Sequence, residues 1–237
     1  MMAAPIDARR YAIYYSPAAD HPLTRTAARW LGRDAFTGKV ASRGSASDDI
    51  DEALLGEPRR YGFHATLKAP FRLAEGFAVE DLERALGEFA AVCQPVRLGR
   101  LKLDLLNDFF ALRPAQPAPA VSDFAARIVE VFDGFRAPLS EGEMRRRMSS
   151  SLDETETRNL TRWGYPYVHE RYRFHMTLTG RVPAEIRPSL QQRLDEQFGV
   201  LLEEDYAIDA LTLFVQKSSD TDFVVRSWYP LAAERET

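Results

Sequence analysis

Two short segments of this chain repeat one pattern of residue types. Phe63-His64-Ala65-Thr66-Leu67 and Phe174-His175-Met176-Thr177-Leu178 share four of five positions, and their histidines are 111 residues apart. In an extended segment alternate side chains point to the same face. Each His-x-Thr therefore presents an imidazole and a hydroxyl together, while Phe, the middle residue and Leu point the other way. A phosphate ester suits such a face. A neutral imidazole can take a proton from water, an imidazolium can give one to a leaving oxygen, and a hydroxyl can bond a non-bridging oxygen. A single His-x-Thr-Leu on a strand is ordinarily a half-buried structural histidine. Two copies change the balance, because a duplicated fold that kept only its core positions would have no reason to keep His and Thr on the polar face.

The elements that must position these residues also come twice. Tyr11–Tyr15 reads as a strand and Pro22–Leu31 as a helix stopped by Gly32, with Leu23, Ala27 and Trp30 as its buried stripe. Thr37–Asp51 is small and polar and reads as a loop; Pro58 and Arg59-Arg60 then lead into the first motif strand, which continues through Lys68 to Pro70. A helix follows over Val79–Cys93, then strands over Val96–Leu105 and Phe109–Arg113 joined at Asn107-Asp108. After the second motif the series returns, with a helix over Pro183–Leu202, strands over Ile208–Gln216 and Phe223–Trp228, and a turn over Ser218–Asp222. Phe110-Ala111-Leu112-Arg113 and Phe223-Val224-Val225-Arg226 lie 46 and 48 residues after their histidines. The chain thus reads as an internal duplication. The pattern predicts a single bilobal α+β domain, with two antiparallel sheets facing a central groove and helices outside. Lobe one is expected over about 1–114, a connector and helical insert over about 115–171 and lobe two over about 172–237, with a pseudo-twofold superposing Arg113 on Arg226.

Between the repeats, Pro114–Pro119 reads as a connector and Ser122–Phe135 as an amphipathic helix capped by Ser122. Residues 136–172 are rich in Arg and aromatics. Arg145-Arg146-Arg147 reads as a solvated helix face, and Trp163-Gly164-Tyr165-Pro166-Tyr167 as a rigid turn that packs as a core corner or a pocket wall.

Composition narrows the function classes. At 237 residues and 45% hydrophobic, the chain can bury a large core, and it contains neither a membrane-length apolar run nor a signal-peptide h-region. Its one cysteine, Cys93, excludes an internal disulfide and fits a reducing cytoplasm. A net charge of -4 argues against extended nucleic-acid contact, though not against a small anion held by local arginines. The four histidines, at 21, 64, 169 and 175, show no metal-ligand spacing, so neither a metal nor another cofactor is expected. Nothing in the pattern points to a membrane, and the oligomeric state is not legible.

The paired His-x-Thr-Leu strands resemble the two-histidine phosphoesterase superfamily, whose members include cyclic phosphodiesterases acting on RNA ends and nucleotides. Longer strings over residues 61–71, 135–139, 163–168 and 174–180, from Tyr61-Gly62-Phe63-His64 to Leu178-Thr179-Gly180, resemble its branch found with bacterial phosphonate-degradation (carbon-phosphorus lyase) genes. This resemblance, which runs over nearly the whole chain, implies a bilobal fold whose motifs face each other across a groove, with no metal. It makes His64 and His175 the acid-base pair and has Thr66 and Thr177 bind the phosphate. For this branch the implied substrate is 5-phosphoribosyl 1,2-cyclic phosphate, opened by water to a ribose bisphosphate.

The chemistry of ring opening adds its own demands. In-line attack by water needs base and acid on opposite sides of phosphorus, with the working nitrogens roughly 5–8 Å apart. Alternation puts Lys68 on the His64 face, where it would stabilise charge on the phosphate. A distal phosphate needs an arginine. Arg136, Arg145 and Arg173 are candidates, with Arg173 first by its parity with His175, and Tyr165 or Tyr167 is expected to line the same end of the groove. Two other readings remain open. An RNA-end or nucleotide 2',3'-cyclic phosphodiesterase would want a basic and aromatic track, against the acidic balance. A non-catalytic binder of phosphate ligands would be signalled by loss of one histidine, and both are present.

Overall fold

Strand β1 (Arg10–Tyr15) is buried along nearly its whole length because it packs on both faces. Tyr11, Ile13 and Tyr15 join the main core, while Ala12 and Tyr14 join a smaller cluster with Ala35, Phe214 and Phe223. The structure, a computed structural model, describes residues 9–42, 50, 52–149 and 151–232. Helix α1 (Pro22–Leu31) begins with Pro22 in its first turn, and its His21 N-cap accepts a hydrogen bond from the Leu23 amide; it ends at Gly32, which takes the left-handed conformation at φ 74°. Helix α2 (Glu52–Tyr61) precedes the first motif, and strand β2 (Ala65–Phe71) carries it. Helix α3 (Val79–Val92) and the hairpin of β3 (Val96–Leu106) and β4 (Phe109–Pro114) complete the first repeat.

Helices α4 (Pro119–Val131), α5 (Glu141–Met148) and α6 (Glu154–Trp163) form the insert. The second repeat runs through β5 (Met176–Thr177), α7 (Arg187–Phe198), β6 (Asp205–Ile208), β7 (Ala210–Gln216) and β8 (Val224–Pro230).

The strands join in one order, β6-β3-β4-β5-β2-β1-β7-β8, with antiparallel pairing throughout. The two sheets expected from the duplication are therefore two halves of one ladder that meet where β5 pairs with β2. Each half draws strands from both repeats. Helices α1, α3, α4 and α7 bury Trp30, Leu86, Phe124 and Leu194 in the main core.

Several expectations change. Arg113 and Arg226 do not superpose: β4 sits beside β5 near the centre, whereas β8 is at the edge. The reason is β1, which fills the inner place next to β2, so that the second hairpin turns β8 outward where the first turned β4 inward. Pro58 and Arg59-Arg60, expected as a lead-in to the first motif strand, lie inside helix α2. A proline has no amide hydrogen, so the carbonyl four residues back, that of Leu54, lacks its helical partner; the Gly180 amide supplies one at 2.5 Å. The helix expected at Ser122 starts earlier, with Ala118 at the N-cap and Pro119 in the first turn, and gives way to a 3-10 turn over Asp133–Phe135. Pro183–Leu202 is likewise broken into 3-10, α and 3-10 pieces, and Asp209 separates two strands that the sequence suggested were one. Residues 43–49 and 51 of the expected loop lie outside the described residues.

Candidate active site

The first histidine is placed by the end of α2. The chain leaves that helix through Gly62, left-handed at φ 77°, whose amide bonds the Pro58 and Arg59 carbonyls at 2.9 and 3.1 Å. Buried Arg33 braces the turn by donating to the carbonyls of Arg59, Arg60 and Phe223 at 2.9, 3.2 and 2.7 Å. No side chain fits at Gly62, because a Cβ there would lie 2.5 Å from that of Ala35. The Gly62 carbonyl accepts a hydrogen bond from His64 Nδ1 at 2.8 Å. The second repeat does the same, with His175 Nδ1 donating to the Arg173 carbonyl at 2.8 Å. A carbonyl only accepts, so each Nδ1 carries the proton and each Nε2 is the nitrogen left for chemistry.

Ala65 pairs with Met176. Carrying that antiparallel register one residue either way sets His64 opposite Thr177 and Thr66 opposite His175. All four side chains then occupy one face, with the histidines on a diagonal. Diagonal neighbours in such a ladder stand about 7–8 Å apart, so two imidazoles turned inward can share one phosphate. The motifs are thus side by side on the central pair of strands. Thr66 Oγ1 lies 3.3 Å from His64 Nε2. Tyr14 stacks on the His64 ring, 3.8 Å between centroids and 20° between planes, and Phe109 tilts against His175 at 5.9 Å.

Burial sets the charge state. Desolvation pushes His64 down to about 4; the Gly62 carbonyl opposes this, and the neighbouring His175 adds to it. Desolvation also lowers His175, against the Arg173 carbonyl and together with the positive charge of Arg113. Both imidazoles are therefore neutral near pH 7 until an anion arrives to favour a protonated one.

Two cavities open beside this quartet and share His175, Thr66, Ala69, Phe109 and Tyr165 as a common wall. One, of about 630 Å³, is lined further by Arg173, Tyr167, Tyr172 and Asn107. The other, of about 440 Å³, is lined by His64, Thr177, Tyr14, Tyr61 and Arg181. Arg173 is exposed, and no ion pair joins its guanidinium to a described residue. The Tyr165 phenol, pushed up to about 12 chiefly by burial, is a neutral donor between the two cavities. It meets Tyr167 edge to face at 5.5 Å.

Three expected residues are elsewhere. Lys68 does not share the His64 face, because β1 pairs Ile13 with Lys68 but Tyr14 with Thr66, which leaves an extra residue, a β-bulge, in β2. The bulge turns Lys68 toward α4, where it is 3% exposed and bonds Asp133 at 2.9 Å and the Val129 carbonyl at 3.2 Å. Arg136 is held by both oxygens of Asp133, at 2.8 and 3.0 Å, and packs against Gly164. Arg145 pairs with Glu141 at 3.6 Å on the solvent side of α5 and lines neither cavity. Conversely, reading by sequence passed over Tyr14, Gly62 and Arg181. The one available signal was the glycine two residues before the first histidine.

A family model described as "Protein of unknown function (DUF1045)" matches residues 66–224. The chain belongs to this family. Two curated relatives are each described as ribose 1,5-bisphosphate phosphokinase PhnN. That of Janthinobacterium sp. (strain Marseille) is 35% identical over 234 residues, covering 96% of this chain and 52% of the relative. That of Laribacter hongkongensis (strain HLHK9) is 31% identical over 221 residues, covering 90% and 50%. The chain spans about half the length of the curated relatives it matches. Among solved structures, E. coli LigT complexed with NADP+ aligns with a TM-score of 0.44 at 12% identity, covering 95% of this chain and 99% of that one. A structure described as a phosphoesterase aligns with a TM-score of 0.40 at 12% identity, covering 94% and 98%. Among the described residues of this DUF1045 member, no helix is long and apolar enough to cross a membrane.

Proposed function

We propose that this chain is a phosphodiesterase that opens a small cyclic phosphodiester with water, and that its substrate is 5-phosphoribosyl 1,2-cyclic phosphate. The observation that carries this reading is the diagonal quartet of His64, Thr66, His175 and Thr177, with both Nδ1 atoms tied to carbonyls and both Nε2 atoms left for the groove. One Nε2 takes a proton from the attacking water as its oxygen bonds phosphorus. The opposite bond to the ribose oxygen breaks, and that oxygen receives a proton from the other imidazole, protonated when the anionic substrate binds. The threonine hydroxyls donate to the non-bridging oxygens. A distal phosphate fits the larger cavity, where Arg173, Tyr165 and Tyr167 stand together.

The relatives' description supports the choice of substrate. Cleavage of the bond to the ribose 2-oxygen leaves phosphate on carbon 1, and the product is ribose 1,5-bisphosphate, the compound named in the kinase description of both relatives. Hydrolysis and phosphorylation would then be consecutive steps.

The test is a panel of cyclic phosphodiesters, including 2',3'-cyclic nucleotides, followed by phosphorus NMR to read which oxygen keeps the phosphate. Turnover of the phosphoribosyl compound to the 1,5-bisphosphate is expected. Preference for the nucleotides would move the assignment to a nucleotide cyclic phosphodiesterase, and binding without turnover would leave a phosphate-ligand binder.

A further inference from the structure

A phosphate held by one neutral imidazole, one imidazolium and two hydroxyls has no permanent positive charge beside it, because the imidazolium gives its proton to the leaving oxygen, yet its non-bridging oxygens gain negative charge as water adds. The residue expected to meet that need, Lys68, faces the other side of the sheet with Asp133. Arg113 is next to His175 in the ladder, but it donates to Asp104 at 2.7 Å. Arg136 is held by Asp133. Among the described residues lining the cavity that contains His64, Thr66, His175 and Thr177, Arg181 is the one lysine or arginine.

Arg181 has a fixed backbone and a free side chain. The Gly180 amide bonds the Leu54 carbonyl at 2.5 Å, and the Val182 amide bonds the Asp108 carbonyl at 2.6 Å. A Cβ at Gly180 would come within 3.3 Å of that Leu54 carbonyl, so a side chain here would push α2 back by a few tenths of an ångström. The Arg181 side chain is exposed, and no described carboxylate pairs with it. Counting from each motif histidine, the sixth residue is Pro70 in the first copy and Arg181 in the second, and both line this cavity. The duplicated quartet thus carries a cation on one side only.

We propose that Arg181 bonds the non-bridging oxygens of the phosphate under attack and supplies a positive charge that outlasts proton transfer, which the motif residues cannot. This rests on the hydrolase reading and adds a catalytic residue to it. A fork of guanidinium donors suits two phosphate oxygens at once, and the groove-side position lets it follow them as the geometry at phosphorus changes.

The experiment compares wild type, Arg181→Ala, Arg181→Lys and His64→Ala on two substrates, 5-phosphoribosyl 1,2-cyclic phosphate and ribose 1,2-cyclic phosphate, which lacks the distal group. Loss of one donor to developing charge lowers kcat by about 100- to 1000-fold. The expected result is such a loss for Arg181→Ala by a similar factor on both substrates, with partial recovery in Arg181→Lys and an unchanged melting temperature. A loss confined to the substrate with the distal phosphate would make Arg181 a reader of that group and overturn the proposal. So would a His64-dependent activity that Arg181→Ala leaves within about threefold of wild type, a result that spares the hydrolase reading. A wild-type protein inert on both substrates would overturn the two together.

Discussion

Gly62→Ala tests how the first histidine is held. The native φ of 77° costs an L-residue roughly 1–2 kcal/mol. The new Cβ would lie 2.5 Å from the Ala35 Cβ and 3.5 Å from the Phe214 ring. Ordinary carbon contacts are about 3.5–4.0 Å, so the turn must retreat by about 1 Å, and overpacking of this kind costs about 1–3 kcal/mol. The combined loss of stability is about 2–5 kcal/mol, to be read from urea denaturation followed by tryptophan fluorescence. The retreat also displaces the carbonyl that holds His64 Nδ1 at 2.8 Å. A displacement of about 1 Å at a positioning contact can lower a rate about 100-fold, so kcat/KM on the cyclic phosphodiester should fall by that order. The double variant Ala35→Gly/Gly62→Ala removes the overlap and leaves only the φ term. It should regain most of the rate and about half of the stability. A single variant with wild-type rate, or a double variant that regains nothing, would refute the claim that packing at Ala35 aims His64.

Three further outcomes are expected. His64→Ala and His175→Ala should each lower kcat by about two to four orders of magnitude with little change in the urea midpoint, and near-full activity in either would remove the paired-histidine mechanism. Stability should fall on acidification. His64 titrates at about 4 when folded against about 6.5 when unfolded, so below pH 6.5 the unfolded chain takes up the proton first, and about 3 kcal/mol is lost between pH 6.5 and 4. Urea titrations across that window should show the slope, and His64→Ala should flatten it. Lys68→Ala should leave Asp133 paired with Arg136 but remove one charged hydrogen-bond partner, lowering stability by about 1.5–3 kcal/mol while kcat of the folded protein stays within about threefold of wild type; a selective loss of kcat would return Lys68 to the groove.

The motif histidines were legible because duplication repeats them, and a repeat of His and Thr on a polar face is more than core packing needs. Helix α1 and the hairpin β3–β4 were legible from periodicity and from their Gly and Asn-Asp boundaries. Lys68 was misplaced because parity counts residues and takes no account of a bulge, and the bulge is visible only against β1. Helix α2 is hidden in the sequence because Pro58 lies inside it, where the lost amide is compensated by a partner from the far repeat. The groove-facing Arg181 was hidden for a related reason: it follows a two-residue strand and a glycine, where alternation no longer tells direction.

That compensation has a consequence for motion. Through its cap at Gly62, α2 aims the first histidine, and through the Leu54 carbonyl it grips Gly180, five residues beyond the second. One helix therefore touches the chain at both copies of the motif. A movement of the helix against the sheet would therefore be felt at the support of His64 and just beyond His175 together.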